Sequence, residues 1–138
     1  MNKPLFLRAV LLCAALLVLT PIGWAKTYHM TASTTVPGAS AELNVGKEKN
    51  GNLQIELKVD HLAQPGRLTP SASTYVVWLQ QEGSQAQSQG ELKVGSDLKG
   101  ELRTATPLRD FNVFVTAETD SQTKSPSDQV VLRATVQQ

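Results

Sequence analysis

Alternating apolar and polar residues run through most of the chain after residue 25, and no other feature constrains the fold as strongly. The pattern is clearest at Leu53–Asp60, where every second residue is Leu, Ile or Val and the residues between them are polar or charged. Side chains of a β-strand point alternately to its two faces, so a period of two predicts strands with one buried face. An apolar stripe with the helical period of about 3.6 residues does not accompany it. The sequence therefore predicts an all-β protein.

Gly, Pro, Asn and Ser residues divide the alternating segments into seven or eight short strands. Asn50-Gly51 predicts a two-residue hairpin turn. The long polar connections 64–73 and 119–128 favour Greek-key crossings over the up-and-down order of a closed barrel. The predicted fold is an immunoglobulin-like β-sandwich of seven or eight antiparallel strands, with a closed barrel as the alternative. The strands are predicted around residues 28–32, 41–45, 53–60, 75–79, 92–94, 102–104, 111–118 and 130–136.

Residues 1–25 have the pattern of a cleavable signal peptide. Lys3 and Arg8 precede an apolar run at residues 9–19, and Gly23-Trp24-Ala25 fits the small-x-small pattern at which such leaders are cut. The run is shorter than the roughly 20 residues that a helix needs to cross about 30 Å of hydrocarbon. We therefore expect export to the periplasm or the medium, with residues 26–138 as one β-sandwich domain and no membrane span after cleavage.

Two other interpretations of the leader remain open. One is a retained membrane anchor, which the short apolar run disfavours. The other is lipidation of Cys13, but Leu12 stands where a lipidation site requires a small residue, and Cys13 lies inside the apolar run. Cys13 is the only cysteine of the chain, so the domain after the leader folds without disulfides.

The charge balance bears on the class of partner. The chain has 13 Lys and Arg against 12 Asp and Glu, and two of the basic residues belong to the leader. A nearly neutral domain lacks the basic surface by which proteins bind nucleic acid or anionic membranes. We therefore expect neither of these as a partner.

Two strands carry apolar residues on both faces. In the 75–79 strand, Val76 and Trp78 fall on the face opposite to the other apolar residues, and Phe114 does so in the 111–118 strand. One interpretation is that both are central strands whose outer face is covered by loops or by the N-terminal segment, or that Trp78 itself faces the core. The other is that Val76, Trp78 and Phe114 form an exposed apolar face that binds a partner. Both interpretations predict that the two strands are adjacent.

Recognisable constellations for catalysis or metal binding are absent from the sequence. His29 lies on the polar face of its strand and His61 on the inward parity at a strand end. Without a cysteine after the leader, and with Met30 as the only later methionine, neither a zinc nor a copper ligand set can be assembled. The carboxylates of the strands all fall on outward parity, where a solvated face is expected. We therefore predict that the protein is not an enzyme and has no metal and no cofactor. These carboxylates are Glu42, Glu56, Glu91, Glu101 and Glu118.

The second half of the chain carries a family resemblance. Its segments are Tyr75-Val-Val-Trp78, Gly90-Glu-Leu92, a turn with Gly100, Phe111-x-Val-Phe-Val-Thr-Ala-Glu118, Ser125-Pro126-Ser127 and Val130-Val-Leu132. In this order they resemble the extracytoplasmic C-terminal domain of anti-sigma-K-type factors and related small exported bacterial proteins, over residues 74–136. The resemblance implies a β-sandwich without catalytic residues. Anti-sigma factors have a sigma-binding segment and a transmembrane helix before this domain, whereas this chain has a leader there, so sigma binding is not implied.

Three functions remain open on the sequence alone. The first is a non-catalytic binding or adaptor module of the bacterial envelope, whose partner is an unidentified protein or envelope component. The second is a structural or assembly subunit that associates through an exposed edge strand, for which 130–136 is the candidate because Arg133 is its only charge. The third is an enzyme or metalloprotein, which would need His61 close to at least two carboxylates in a pocket.

Overall fold

The alternating segments form two antiparallel sheets in the computed structural model, which describes residues 25–138. The predicted leader, residues 1–25, lies outside the described residues except for Ala25. In this part of the chain no helix is long and apolar enough to cross a membrane. The strands are β1 (Lys26–His29), β2 (Thr31–Ala32), β3 (Ser40–Lys47), β4 (Leu53–Asp60), β5 (Thr74–Gln80), β6 (Gln87–Leu92), β7 (Gly100–Thr106), β8 (Phe111–Glu118) and β9 (Val130–Val136).

The two sheets confirm the predicted β-sandwich. One sheet has the order β1-β3-β4-β7 and the other the order β2-β9-β8-β5-β6. Each sheet therefore has two edges, and the closed barrel is wrong. The apolar faces of the two sheets pack against each other in one core, in which Leu43, Leu57, Val113 and Leu132 are fully buried. The alternating pattern of the sequence is explained by burial of one face of each sheet.

The first predicted strand is divided between the two sheets. In β1, Tyr28 pairs with Leu43 of β3, whereas in β2, Thr31 pairs with Arg133 of β9. The chain changes sheets at Met30, whose side chain enters the core. This division explains why residues 25–138 contain nine strands rather than the predicted seven or eight.

The predicted strand around 92–94 is wrong in its position. The strand is β6, which begins at Gln87, five residues before the predicted start, and ends at Leu92. An edge strand with one solvated face can be polar, so the sequence carries little signal for it. A register shift opposite Val77 and Trp78 also breaks the alternation of β6.

The turn at Asn50-Gly51 joins β3 and β4 as a hairpin, but it is not a two-residue turn. The amide of Gly51 donates to the carbonyl of Glu48, and the amide of Glu48 donates to the carbonyl of Asn52, at 3.0 and 2.9 Å. Gly51 has φ +86°. This is a three-residue loop in which glycine takes the left-handed position. The turn around Gly95 has the same hydrogen bonds, although it links β6 and β7, which lie in different sheets.

Candidate functional site

The three predicted site residues lie together on the outer face of the five-stranded sheet. β5 and β8 are adjacent, and Trp78 is the register partner of Phe114. Their ring centroids are 6.5 Å apart with an angle of 17° between the planes. With Val76 they form an apolar cluster separate from the main core, which we call the outer cluster. The side-chain parities predicted for both strands are therefore correct.

The outer cluster is buried, although it faces away from the main core. Val76 and Trp78 are 0% exposed and Phe114 is 7% exposed. The expectation of an exposed apolar surface is therefore wrong for these side chains. The alternative, in which other segments cover the central strands, describes the structure. Binding through these residues stays a prediction, and it would require the covering segments to move.

The loop between β8 and β9, residues 119–129, supplies this cover. Its residues 121–124 line one cavity together with Ser88, Gly90 and Glu91 of β6. Because β5 lies between β8 and β6 in the sheet, the loop has to cross the outer face of β5 to reach them. Ala86 and Val130 pack against the same cluster.

A chain of hydrogen bonds fixes this loop to the sheet. Nε1 of Trp78 donates to Oγ1 of Thr116 at 2.8 Å, and Thr116 donates to Oε1 of Glu118 at 2.6 Å. The backbone amide of Ser127, in the loop, donates to the same Oε1 at 2.7 Å. Oγ of Ser127 donates to the carbonyl of Ala117 at 2.8 Å. Donors around a carboxylate make strong hydrogen bonds, so Glu118 connects the loop to the side chain that it covers.

Glu118 is only 7% exposed, so its expected place on a solvated face is wrong. Its parity is outward, as predicted, but the loop closes over it. The sequence signal that could have indicated this is Ser125-Pro126-Ser127, a compact turn sequence close enough along the chain to return to Glu118.

The outer face of the four-stranded sheet has the opposite character. Nζ of Lys58 lies 2.9 Å from Oε1 of Glu56, and Nε of Arg103 lies 3.4 Å from the other oxygen of Glu56. Arg103 also contacts Glu101 at 3.0 Å. The hydrogen bond from Lys58 lowers the pKa of Glu56, and the same bond raises the pKa of Lys58. This face is a ladder of exposed ion pairs, each of small energetic value.

β9 has a partly open edge. β2 pairs only with Leu132 and Arg133, because the chain leaves for the other sheet at Met30. The carbonyl of Val131 accepts a hydrogen bond from the amide of Ser33 at 2.9 Å, so Val131 directs its backbone groups toward β2. The direction alternates along an antiparallel strand, and the N–H and C=O of Thr135 therefore point to the same side, beyond the end of β2.

A groove of about 570 Å³ runs along this edge. Its lining is half apolar and half polar, and its charged or titratable members are Arg133 and His29. The sequence had indicated 130–136 as a candidate edge strand, but it contained no signal that β2 would be two residues long. The lining consists of His29, residues 31–33 and residues 130–135.

The histidines do not build a site with carboxylates in the described residues. The His29 side chain is 78% exposed, with Nδ1 4.0 Å from Oε1 of Glu42. The inward position predicted for His61 is wrong: β4 ends at Asp60, His61 has φ +56° and is exposed, and Leu62 enters the core instead. Within residues 25–138, no group of three or more His, Cys, Asp or Glu side chains could hold a metal ion.

Neither a protein family nor a curated protein nor a solved structure matches this chain. The resemblance of residues 74–136 to the extracytoplasmic domain of anti-sigma-K-type factors therefore stays a prediction.

Proposed function

We propose that this chain is a non-catalytic, exported β-sandwich that binds a protein of the bacterial envelope by taking an extended segment of that protein along the β9 edge. The observation that carries this proposal is the short β2, which leaves the backbone of Thr135 open beside a groove. Addition of a strand to an open sheet edge is a general way to bind an extended polypeptide. The leader pattern supports an envelope location.

The edges formed by β7 and β6 are less suited to this role. β7 carries the exposed charges Glu101 and Arg103, and charges on an edge discourage pairing with another chain. β6 is interrupted by the register shift opposite Val77 and Trp78, and such bulges also discourage pairing. The β9 edge has neither feature at Ala134–Val136.

The same open edge also favours the second candidate, an assembly subunit whose copies pair through β9. The two functions differ in the identity of the bound strand, which is another protein in the first and a second copy in the second. An adaptor should be monomeric at micromolar concentration, and an assembly subunit should not.

Site-specific photo-crosslinking in the producing cell tests the proposal. A benzophenone side chain replaces the exposed Thr31, which lines the groove, and the control carries it at the exposed Ala105 on β7. We expect an adduct with another exported protein from position 31 and not from position 105, identified by mass spectrometry. Adducts made only of two copies would establish the assembly function, and no specific adduct at position 31 would contradict both.

A further inference from the structure

We propose that the segment bound in the groove is acidic: an extended strand that pairs with the backbone of Thr135 and directs an Asp or Glu carboxylate to Arg133. This inference rests on the proposed function and adds the chemistry of the partner. Three features of the groove carry it, namely its backbone groups, its charge and its apolar lining.

The backbone groups define where the strand lies. Thr135 offers one N–H and one C=O on the open side, whereas the carbonyl of Gln137 already accepts hydrogen bonds from the Tyr28 hydroxyl at 2.8 Å and from Nζ of Lys26 at 3.2 Å. Pairing is therefore limited to the short stretch between β2 and Gln137. So few backbone hydrogen bonds cannot select a partner, and side chains have to supply the specificity.

The charge of the groove selects a carboxylate. No Asp or Glu lines it, and Arg133 forms no ion pair within residues 25–138. The Arg133 guanidinium lies 6.0 Å from the centroid of the Phe114 ring, on the outer face beside the groove. An exposed arginine without a carboxylate partner attracts an acidic side chain and can bind it through two parallel hydrogen bonds.

The apolar lining fits the alternate side chains of the same strand. Ala32 and Ala134 bring small apolar groups to the core side of the groove, and Val130 lies on its outer side next to the outer cluster. Successive side chains of a bound strand point to opposite sides, so a segment that alternates apolar and polar residues places its apolar set beside the two alanines.

Symmetric pairing with the β9 edge of a second copy does not provide this chemistry. Its β9 strand reads Val-Val-Leu-Arg-Ala-Thr-Val and its β2 strand Thr-Ala, and neither contains a carboxylate. Self-pairing along this edge would therefore bring in another arginine rather than an acid. The groove favours a different polypeptide.

Two synthetic peptides test the charge. They are fluorescein-labelled heptapeptides of alternating Thr and Val with a central Asp in one and a central Lys in the other, titrated with the exported protein produced from the full chain. We expect the Asp peptide to bind at least about tenfold more tightly than the Lys peptide at low salt. Arg133→Glu should reverse this order. Arg67→Glu, which changes the same charge at an exposed position away from the groove, should leave it unchanged.

A second pair of variants tests the backbone contact. Thr135→Pro removes the open N–H, and Thr135→Ala is the control that keeps the N–H but loses the hydroxyl hydrogen bond to Asn112. We expect only the proline variant to lose binding, with both variants folded by circular dichroism. If both peptides bind equally and Thr135→Pro abolishes binding, the acidic preference is wrong while strand capture stands. If neither peptide binds at millimolar concentration, the inference is overturned, and the photo-crosslink then decides the proposed function separately.

Discussion

At the scale of single residues, two turns have the same backbone hydrogen bonds but a different residue in the left-handed position. In the β3–β4 turn and in the β6–β7 turn, the amide of the fourth residue donates to the carbonyl of the first, at 3.0 and 2.9 Å. Asn50 and Asp97 each accept a hydrogen bond from the amide two residues on. The left-handed residue is Gly51 in one turn and Leu98 in the other, with φ +86° and +62°. Leucine is disfavoured in this conformation, because its Cβ crowds the backbone.

Leu98→Gly should therefore stabilise the protein. Leu98 is 36% exposed and is not a member of either apolar cluster, so its removal loses less apolar burial than that of a core leucine, while relief of the left-handed strain gains about 1 kcal/mol in the free energy of unfolding. Part of this gain is offset by the greater freedom of glycine in the unfolded chain. Urea unfolding measures the change. Leu98→Ala keeps the strain and is the control; an equal gain in that variant would show that the leucine side chain, not its φ, is responsible.

At the scale of elements, the loop 119–129 determines whether the outer cluster is part of the core or part of the surface. Val76, Trp78 and Phe114 lie on the outer face of two central strands, where Ala86 and Val130 pack against them beside this loop. The only polar group of the Trp78 ring, its N–H, is satisfied by Thr116 and thereby coupled to Glu118. A buried network of this kind stabilises the loop only while every member has its partner.

Glu118→Ala should loosen the loop without unfolding the sheet. The change leaves the Thr116 hydroxyl and the Ser127 amide without their acceptor, which costs about 1–3 kcal/mol where these groups stay buried. We expect stronger acrylamide quenching of Trp78 and faster amide exchange in 119–129, whereas β5 and β8 stay protected. Glu101→Ala, at an exposed position, is the matched control. Unchanged quenching in the Glu118 variant would mean that other contacts hold the loop.

The elements also differ in how far the sequence predicts them. β4, β5, β8 and β9 were predicted because each of them lies between two other strands of its sheet. Burial of one face of such a strand gives strict alternation in the sequence, and burial of both faces gives a continuous apolar run. The division of β1 from β2 was not predictable, because the alternation continues through Met30 and only the pairing partner changes. The outer cluster was found by its parity, but its burial depends on a polar loop with no apolar pattern of its own. The 130–136 strand was a candidate edge from its few charges, but the place of the opening, at Thr135, follows from the division at Met30 and was not predicted.

At the scale of the whole molecule, Tyr75 connects the core to the crossover between the sheets. The ring lies on the inner face of β5 and is 0% exposed. Its hydroxyl donates to the carbonyl of Ala63 at 2.6 Å, in the connection from β4 to β5. Burial raises the pKa of Tyr75 from 10.0 to about 12, because the phenolate would lose its hydration there.

This pKa predicts an alkaline loss of stability that Tyr75 controls. The unfolded chain releases the phenolic proton near pH 10 and the folded protein only near pH 12, so the contribution of the neutral hydroxyl is complete below pH 10 and falls as the pH rises to 12. The expected slope is about 1.4 kcal/mol per pH unit in that window. Tyr75→Phe should be less stable at pH 8 by about 1 kcal/mol, since the hydrogen bond to Ala63 is lost. Above pH 10 its free energy of unfolding should fall less steeply than that of the wild type, so that the two curves converge. Urea unfolding between pH 8 and pH 12 measures both curves, and parallel curves would show that ionisation of Tyr75 does not limit the stability of the sandwich at high pH.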